Sequence, residues 1–450
     1  MAALVPLRQP EKAAFWAARA ADDSEFTPED PLALDYLGQQ VGLWILPGLT
    51  TRTNRAHYYM VVLYGLHLAE RAIERYGAQA DDETRESMFG QWERFWALAV
   101  MESRNGRLER SDPDAMRGVR GVSRAWFAGD RPLPLTYPLI SRQSELGGLG
   151  AYLSSLRHHG LVIPGTLRPS PAAEELLAAM WDEPGGQRIA SYDQYAIDAM
   201  EPGRKTIDRK RHGLTLARLG TQSRLSSLVE LKRSAQQDRL WRVLFEEARD
   251  PVTYPLSELV RLAAKRPAPV WDVEAFFDAA LDGRWGTLDG MVREHLTTAR
   301  AFAHLTRTLL GRFNAIYGSV WRRGFTPSRT DVASDAFPLE EAASLRAAAT
   351  VLLDTPLVEK MRALPLHGHA LIHALDAVRS AASGDEMLAI ILDYHHRVQN
   401  ERRRSEWLRG AGDRIVLDQT GYNGHRGEAR LPSLKIPAVQ QLLRDLGRIA

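Results

Sequence analysis

The sequence predicts a mainly α protein: multi-helical, with a central winged-helix-like module and a small β element near the C-terminus. Apolar residues recur at helical spacing, as in Tyr59, Val62, Leu66, Ala69 and Ile73, or in Leu296, Ala299, Ala303, Leu309, Phe313, Ile316 and Val320. That spacing marks one buried face of a helix. Residues 138–190 have a different order: a helix stopped at His159-Gly160, a strand at 161–163, a Pro164-Gly165 turn, a second strand and another helix. A winged-helix half follows that order. Residues 407–417 read as a short strand pair.

A chain of 450 residues accommodates about two to four domains. The expected divisions are a helical domain at 1–137, the winged-helix-like module at 138–190, a basic linker with helices at 191–250, and a helical domain with the β element at 251–450. Hydrophobic content of 44% and charged content of 25% are those of a globular protein. The net charge of +2 excludes a global field that would drive the chain onto a polyanion, so any basic surface must be local. Absence of cysteine excludes disulfides, zinc ribbons, cysteine-ligated clusters and thiol nucleophiles. The start lacks the charged and apolar regions of a signal peptide, and no apolar run approaches the ~20 residues of a bilayer span. A cytoplasmic protein with no membrane partner is expected.

In chain order, residues 11–21 read as a short helix broken by Pro28 and Pro31. The apolar segment 32–46 follows, and its Gly38 and Gly42 suit close approach to a neighbour. Pro47-Gly48 forces a turn. Thr50, Thr51 or Thr53 is then placed to cap a helix from Tyr58 to about Ile73. Residues 82–103 form a second amphipathic helix with Phe89, Trp92, Phe95, Trp96 and Val100 on its core side. Residues 104–131 read as loop with a short helix around 122–127. Helices are expected over 214–219, 225–245, 256–264, 271–281, 294–322, 340–352, 356–364, 368–383, 386–404 and 438–449, with an irregular loop at 421–437.

Two basic sites stand out. Arg52 and Arg55 fall near the positive end of the helix that starts at Tyr58, an unfavourable position unless an anion or carboxylate compensates. The run Arg204, Lys205, Arg209, Lys210 and Arg211 is the densest in the chain and is expected to contact backbone phosphates or to be a solvated linker. His367, His369, His373 and His395 form a C-terminal histidine group, with His369 and His373 one helical turn apart as metal ligands require. Ala370 stands where the HExxH motif needs its general base, and metal binding is the minor reading. Glu230-Leu231-Lys232 matches half of a nuclease pattern without the strand context. Phosphate-binding P-loop and GxSxG motifs are absent, and Gly147-Gly148-Leu149-Gly150 is too short for a dinucleotide fingerprint.

The run Leu46-Pro47-Gly48-Leu49-Thr50-Thr51-Arg52-Thr53-Asn54-Arg55-Ala56-His57-Tyr58-Tyr59 resembles the N-terminal signature of uncharacterised bacterial proteins, in which Pro-Gly, threonines, Arg-Ala and aromatics recur in that order. The stretch from His395-His396-Arg397-Val398-Gln399 to Trp407-Leu408 is similar to a C-terminal feature of the same proteins. His57 departs from the pattern, where arginine is common. The resemblance implies a setting near anti-phage defence or mobile-element genes and transfers no catalytic residue.

The expected function is a non-catalytic DNA-binding or adaptor component of a bacterial multi-protein system, possessing no cofactor and partnered by double-stranded DNA or protein. The alternatives are a metal-dependent hydrolase or nuclease using the histidine group, and a purely structural interaction subunit.

Overall fold

The computed structural model describes residues 30–108, 116–128, 132–182, 188, 191, 193–208, 235–246, 272–284 and 286–449. Arg209, Lys210 and Arg211, the Glu230-Leu231-Lys232 run and the helices expected at 11–21, 214–219 and 256–264 lie outside them. In chain order the helices used below are α1 (Leu34–Ile45), α2 (Ala56–Tyr76), α3 (Asp82–Ser103), α4 (Val119–Ala128), α5 (Gly148–His158), α6 (Glu174–Ala178), α7 (Asp193–Ala199), α8 (Val273–Leu281), α9 (Gly290–Arg322), α10 (Arg329–Ala336), α11 (Leu339–Leu353), α12 (Gly368–Ser380), α13 (Gly384–Glu401) and α14 (Ile436–Asp445). Strands β1 (Leu133–Pro134) and β2 (Thr206–Ile207) pair antiparallel, as do β3 (Leu408–Ala411) and β4 (Arg414–Leu417). The fold is therefore mainly α with a small β element near the C-terminus. No described helix is long and apolar enough to cross a membrane.

The chain divides into two compact units, one of residues 1–37, 305–353 and 362–430, the other of residues 38–304, 354–361 and 431–450. The larger unit is built on α2 and α3. Tyr59, Val62, Leu66, Ala69 and Ile73 are buried as their spacing requires, and so is nearly every other residue of the first three turns of α2. The helices meet at Gly65, where an added Cβ would lie 2.1 Å from Trp92 Cδ1. The absent side chain lets the indole lie on α2 and donate from Nε1 to Val61 O at 2.9 Å. Asp81 caps α3 by accepting from Thr84 N at 2.8 Å, satisfying an amide that has no partner within the helix. Gly38 and Gly42 of α1 form a close-approach face: Cβ atoms there would stand 3.6 Å from Phe302 and 3.2 Å from the Lys435 stem.

The winged-helix module is not confirmed. Residues 161–169 form a turn closed by one bridge, Val162 to Pro169, in place of two strands. The helix beyond is a 3-10 turn, the short α6 and a second 3-10 turn. Pro169 lacks the amide that a longer strand pair would need.

The smaller unit gathers α10 to α13 and the second half of α9. Ser328 and Ser383 cap α10 and α13 through their hydroxyls. The strand pair expected at 407–417 is present, turning at Gly412 with φ 64°. Segment 325–328 extends it: Leu417 N donates to Phe325 O at 3.0 Å and Ile415 N to Pro327 O at 3.1 Å.

Candidate nucleic-acid interface

The Pro-Gly-threonine stretch folds differently from its capping expectation. Thr53 Oγ1 accepts from Thr50 N at 2.8 Å and donates to Thr50 O at 3.0 Å, which closes the turn on itself. The N-cap of α2 is Arg55, in extended conformation and with no side-chain cap. A carboxylate from the far end of the chain takes over that role. Asp445, 1% exposed, accepts from Ala56 N at 2.9 Å and from Arg55 Nε at 2.8 Å through the same oxygen, while its other oxygen accepts from Gln441 at 2.9 Å. The charge that Arg55 needs at the positive end of the helix is thus internal. Burial raises the Asp445 carboxyl above its ordinary value despite the opposing pull of Arg55, so desolvation outweighs the pairing.

Around this turn the side chains are knitted together. Tyr152 Oη accepts from Arg55 N at 3.0 Å and its ring stacks on Tyr58, centroids 5.3 Å apart. Tyr59 and Ser155 share a hydrogen bond of 2.7 Å. The glycine run at 147–150 is a helix start seated on a buried acid: Glu93 accepts from Gly148 N at 2.6 Å and from Gln143 at 2.8 Å. These contacts make the stretch a structural knot.

Arg52, by contrast, is exposed, and the sequence left unread the arginines that begin with its neighbour Arg117. Arg117 donates to Arg52 O at 2.9 Å and to Leu146 O at 3.2 Å, fixing its guanidinium beside the turn. Immediately after it, α4 buries Gly121, Val122 and Ala125 and exposes Arg120, Arg124 and Phe127. Positions i, i+4 and i+7 fall on one stripe, opposite the buried face. Gly121 holds the helix down: a Cβ there would lie 2.3 Å from Leu139 O and 2.4 Å from Pro138 O. Phe127 is 69% exposed. None of Arg52, Arg117, Arg120 and Arg124 has a carboxylate within ion-pair distance among the described residues. The amphipathic signal was present in the sequence, but the Gly, Arg and Asp content of 104–131 made the segment read chiefly as loop.

The other expected residues are dispersed or engaged. Arg204 pairs with Glu201, and Lys205 is exposed with its carbonyl accepting from Leu135 N at 2.8 Å beside β2. His395 is fully buried. Trp407 N donates to its Nε2 at 3.0 Å, so the proton sits on Nδ1 and is donated to Pro31 O at 2.9 Å. Burial lowers its pKa to about 4. His367 Nδ1 lies 2.5 Å from Glu401 Oε2 and carries φ 61°. His369 and His373 are exposed, ring centroids 6.5 Å apart. No group of three His, Asp or Glu that could hold a metal ion occurs among the described residues.

A cleft of about 570 Å³ opens between α2 and α6, lined among others by Tyr64, His67, Glu70, Arg168, Trp181 and Asp193. Burial raises the Asp193 carboxyl to about 6. Its oxygens are already occupied by Tyr64, Arg71, Ser191 and, at 3.3 Å, Trp181 Nε1. The acid therefore ties α7 to α2 and offers little to a ligand. Comparison of the chain with protein-family models, curated proteins and solved structures returns no match, so geometry alone carries the functional reading.

Proposed function

We propose that this chain is a non-catalytic nucleic-acid-binding or adaptor component of a bacterial multi-protein system, and that it meets the backbone of double-stranded DNA through Arg52, Arg117, Arg120 and Arg124. One observation carries the reading. Arg52, Arg117, Arg120 and Arg124 have no carboxylate within ion-pair distance among the described residues, on a chain whose net charge is only +2. Unneutralised guanidinium groups suit the bidentate geometry of phosphate oxygens. Arg55 does not belong to this surface, because Asp445 already holds it.

Backbone contact of this kind releases counterions, so affinity falls with salt at a slope of about −0.9 per phosphate neutralised, or roughly −3 to −4 for four contacts. The test is a filter-binding series on duplex DNA across salt concentrations, with the wild-type chain and an Arg120→Gln/Arg124→Gln variant. The variant is expected to bind more weakly and to lose about two from the slope. Absence of duplex binding at low salt, or an unchanged slope in the variant, overturns the reading.

A further inference from the structure

In the smaller unit, the end of α9 and the loop that follows β4 build a second surface that nothing above uses. Tyr317 and Trp321, four apart on α9, share a face, and Phe325 follows just beyond the end of that helix. Tyr317 and Trp321 stand 6.4 Å apart in stacked orientation, and Phe325 meets Trp321 edge-on at 5.3 Å. His425 lies against both, 4.9 Å from Tyr317 and 5.6 Å from Trp321. Tyr317 is buried, whereas Trp321 is half-buried and Phe325 is 42% exposed.

Three hydrogen bonds hold the loop in place. Tyr317 Oη donates to Gln419 O at 2.7 Å, Tyr422 Oη to Asn314 at 2.6 Å, and His425 Nδ1 to Tyr422 O at 2.8 Å. The last leaves His425 Nε2 as its remaining polar atom. Gly318 faces both groups: a Cβ there would stand 3.3 Å from Arg322 Nη1 and 3.8 Å from His425 Cβ. The Arg322 guanidinium and the imidazole therefore flank one point on the helix surface.

Two features set this surface apart from ordinary helix-end packing. Phe325 has φ 73°, a left-handed conformation that bulky residues rarely adopt, and it nonetheless presents its ring to solvent. Arg322, Arg426 and Arg430 are exposed and have no carboxylate within ion-pair distance among the described residues, while the neighbouring Arg323 is held by Asp335 at 2.9 Å. Glu428 is the one acid between Arg426 and Arg430.

We infer that the Trp321–Phe325–His425 face is a stacking platform for an unpaired base of a single-stranded nucleic acid, with Arg322 and Arg426, which follow Trp321 and His425 in the chain, for its flanking phosphates. Half-exposed aromatic faces accept any base, and adjacent guanidinium groups supply the charge that a strand requires. The surface stands on residues different from those of the duplex-binding reading, and its test separates the two.

The experiment is fluorescence anisotropy with the full chain and three probes: a labelled oligothymidylate of about twelve nucleotides, the abasic strand of equal length, and labelled thymidine monophosphate. The oligothymidylate is expected to bind about tenfold or more tightly than the abasic strand. Trp321→Ala is expected to remove about tenfold from oligothymidylate binding and little from abasic binding. Phe325→Ala, at an exposed ring, serves as the second variant if Trp321→Ala fails to fold by circular dichroism, with a loss of several-fold expected. Arg426→Glu is expected to weaken both strands. Equal affinity for the abasic strand, indifference to Trp321→Ala or to Phe325→Ala, or binding of the monophosphate as tightly as the strand each overturn the inference.

Discussion

Replacing Arg55 by alanine decides whether this arginine holds the fold together or serves a ligand. In the folded chain its side chain is 13% exposed and its partner Asp445 is 1% exposed. Truncating one partner of a buried pair leaves the other charge uncompensated, a loss of about 3–5 kcal/mol. Here Ala56 N–H and Gln441 continue to donate to the Asp445 carboxylate, at 2.9 Å each, so part of that penalty is offset. Charge-assisted hydrogen bonds contribute about 1.5–3 kcal/mol each. The expected loss for Arg55→Ala is therefore about 3 kcal/mol, or a drop of about 5 °C in the transition that melts the larger unit. Asp445→Ala is expected to cost a similar amount, because it strips the α2 N-terminus of its acceptor as well. The double variant should cost less than the sum by about 2 kcal/mol, as two residues in direct contact require. Thermal unfolding of all four proteins, with duplex binding measured in parallel, is the assay. An Arg55→Ala protein that melts like wild type yet loses DNA affinity would refute the argument, since the arginine would then be facing outward.

Two further outcomes follow from buried titratable groups. The folded pKa of His395 is lowered to about 4, against 6.5 for the free side chain. Its contribution is complete above pH 6.5 and is lost as pH falls from 6.5 towards 4, where only the unfolded chain takes up the proton; the full loss is about 3 kcal/mol. Asp30, raised to about 6 by burial, works in the opposite direction. The effect is accordingly read as the difference between wild type and His395→Gln in urea midpoints at pH 7.5 and pH 5, and equal acid losses in the two would contradict it. Lys435 is 4% exposed, and among the described residues its Nζ has only a long bond of 3.5 Å to Leu46 O, so burial lowers its pKa from 10.5 to about 7. The burial cost is full below pH 7 and relieved as pH rises towards 10.5. Lys435→Met should therefore stabilise the chain at pH 7 by about 2–4 kcal/mol, with the advantage shrinking in alkali; a destabilised variant in a urea titration at pH 7 would show the ammonium to be satisfied.

By itself the sequence determined the helical class, the stripes of α2, α3 and α9 and the β3–β4 pair, because each is written in neighbours a few residues apart. Local chemistry also identified Arg52 and Arg55 as charges in need of a counter-charge. What it could not supply was the source of that charge, since Asp445 lies 390 positions away from Arg55. The winged-helix reading is not confirmed, because one bridge forms where two strands were expected. The α4 stripe was legible in the spacing of Arg120, Arg124 and Phe127, yet which arginines lack a carboxylate is a property of the packed chain. His395 shows the same division: residue type proposed a metal ligand, and tertiary contacts spent both ring nitrogens on Pro31 and Trp407. Periodicity fixes which face of an element is buried, but the partner of each charge is chosen by contacts between distant parts of the chain, and only the folded structure brings those together.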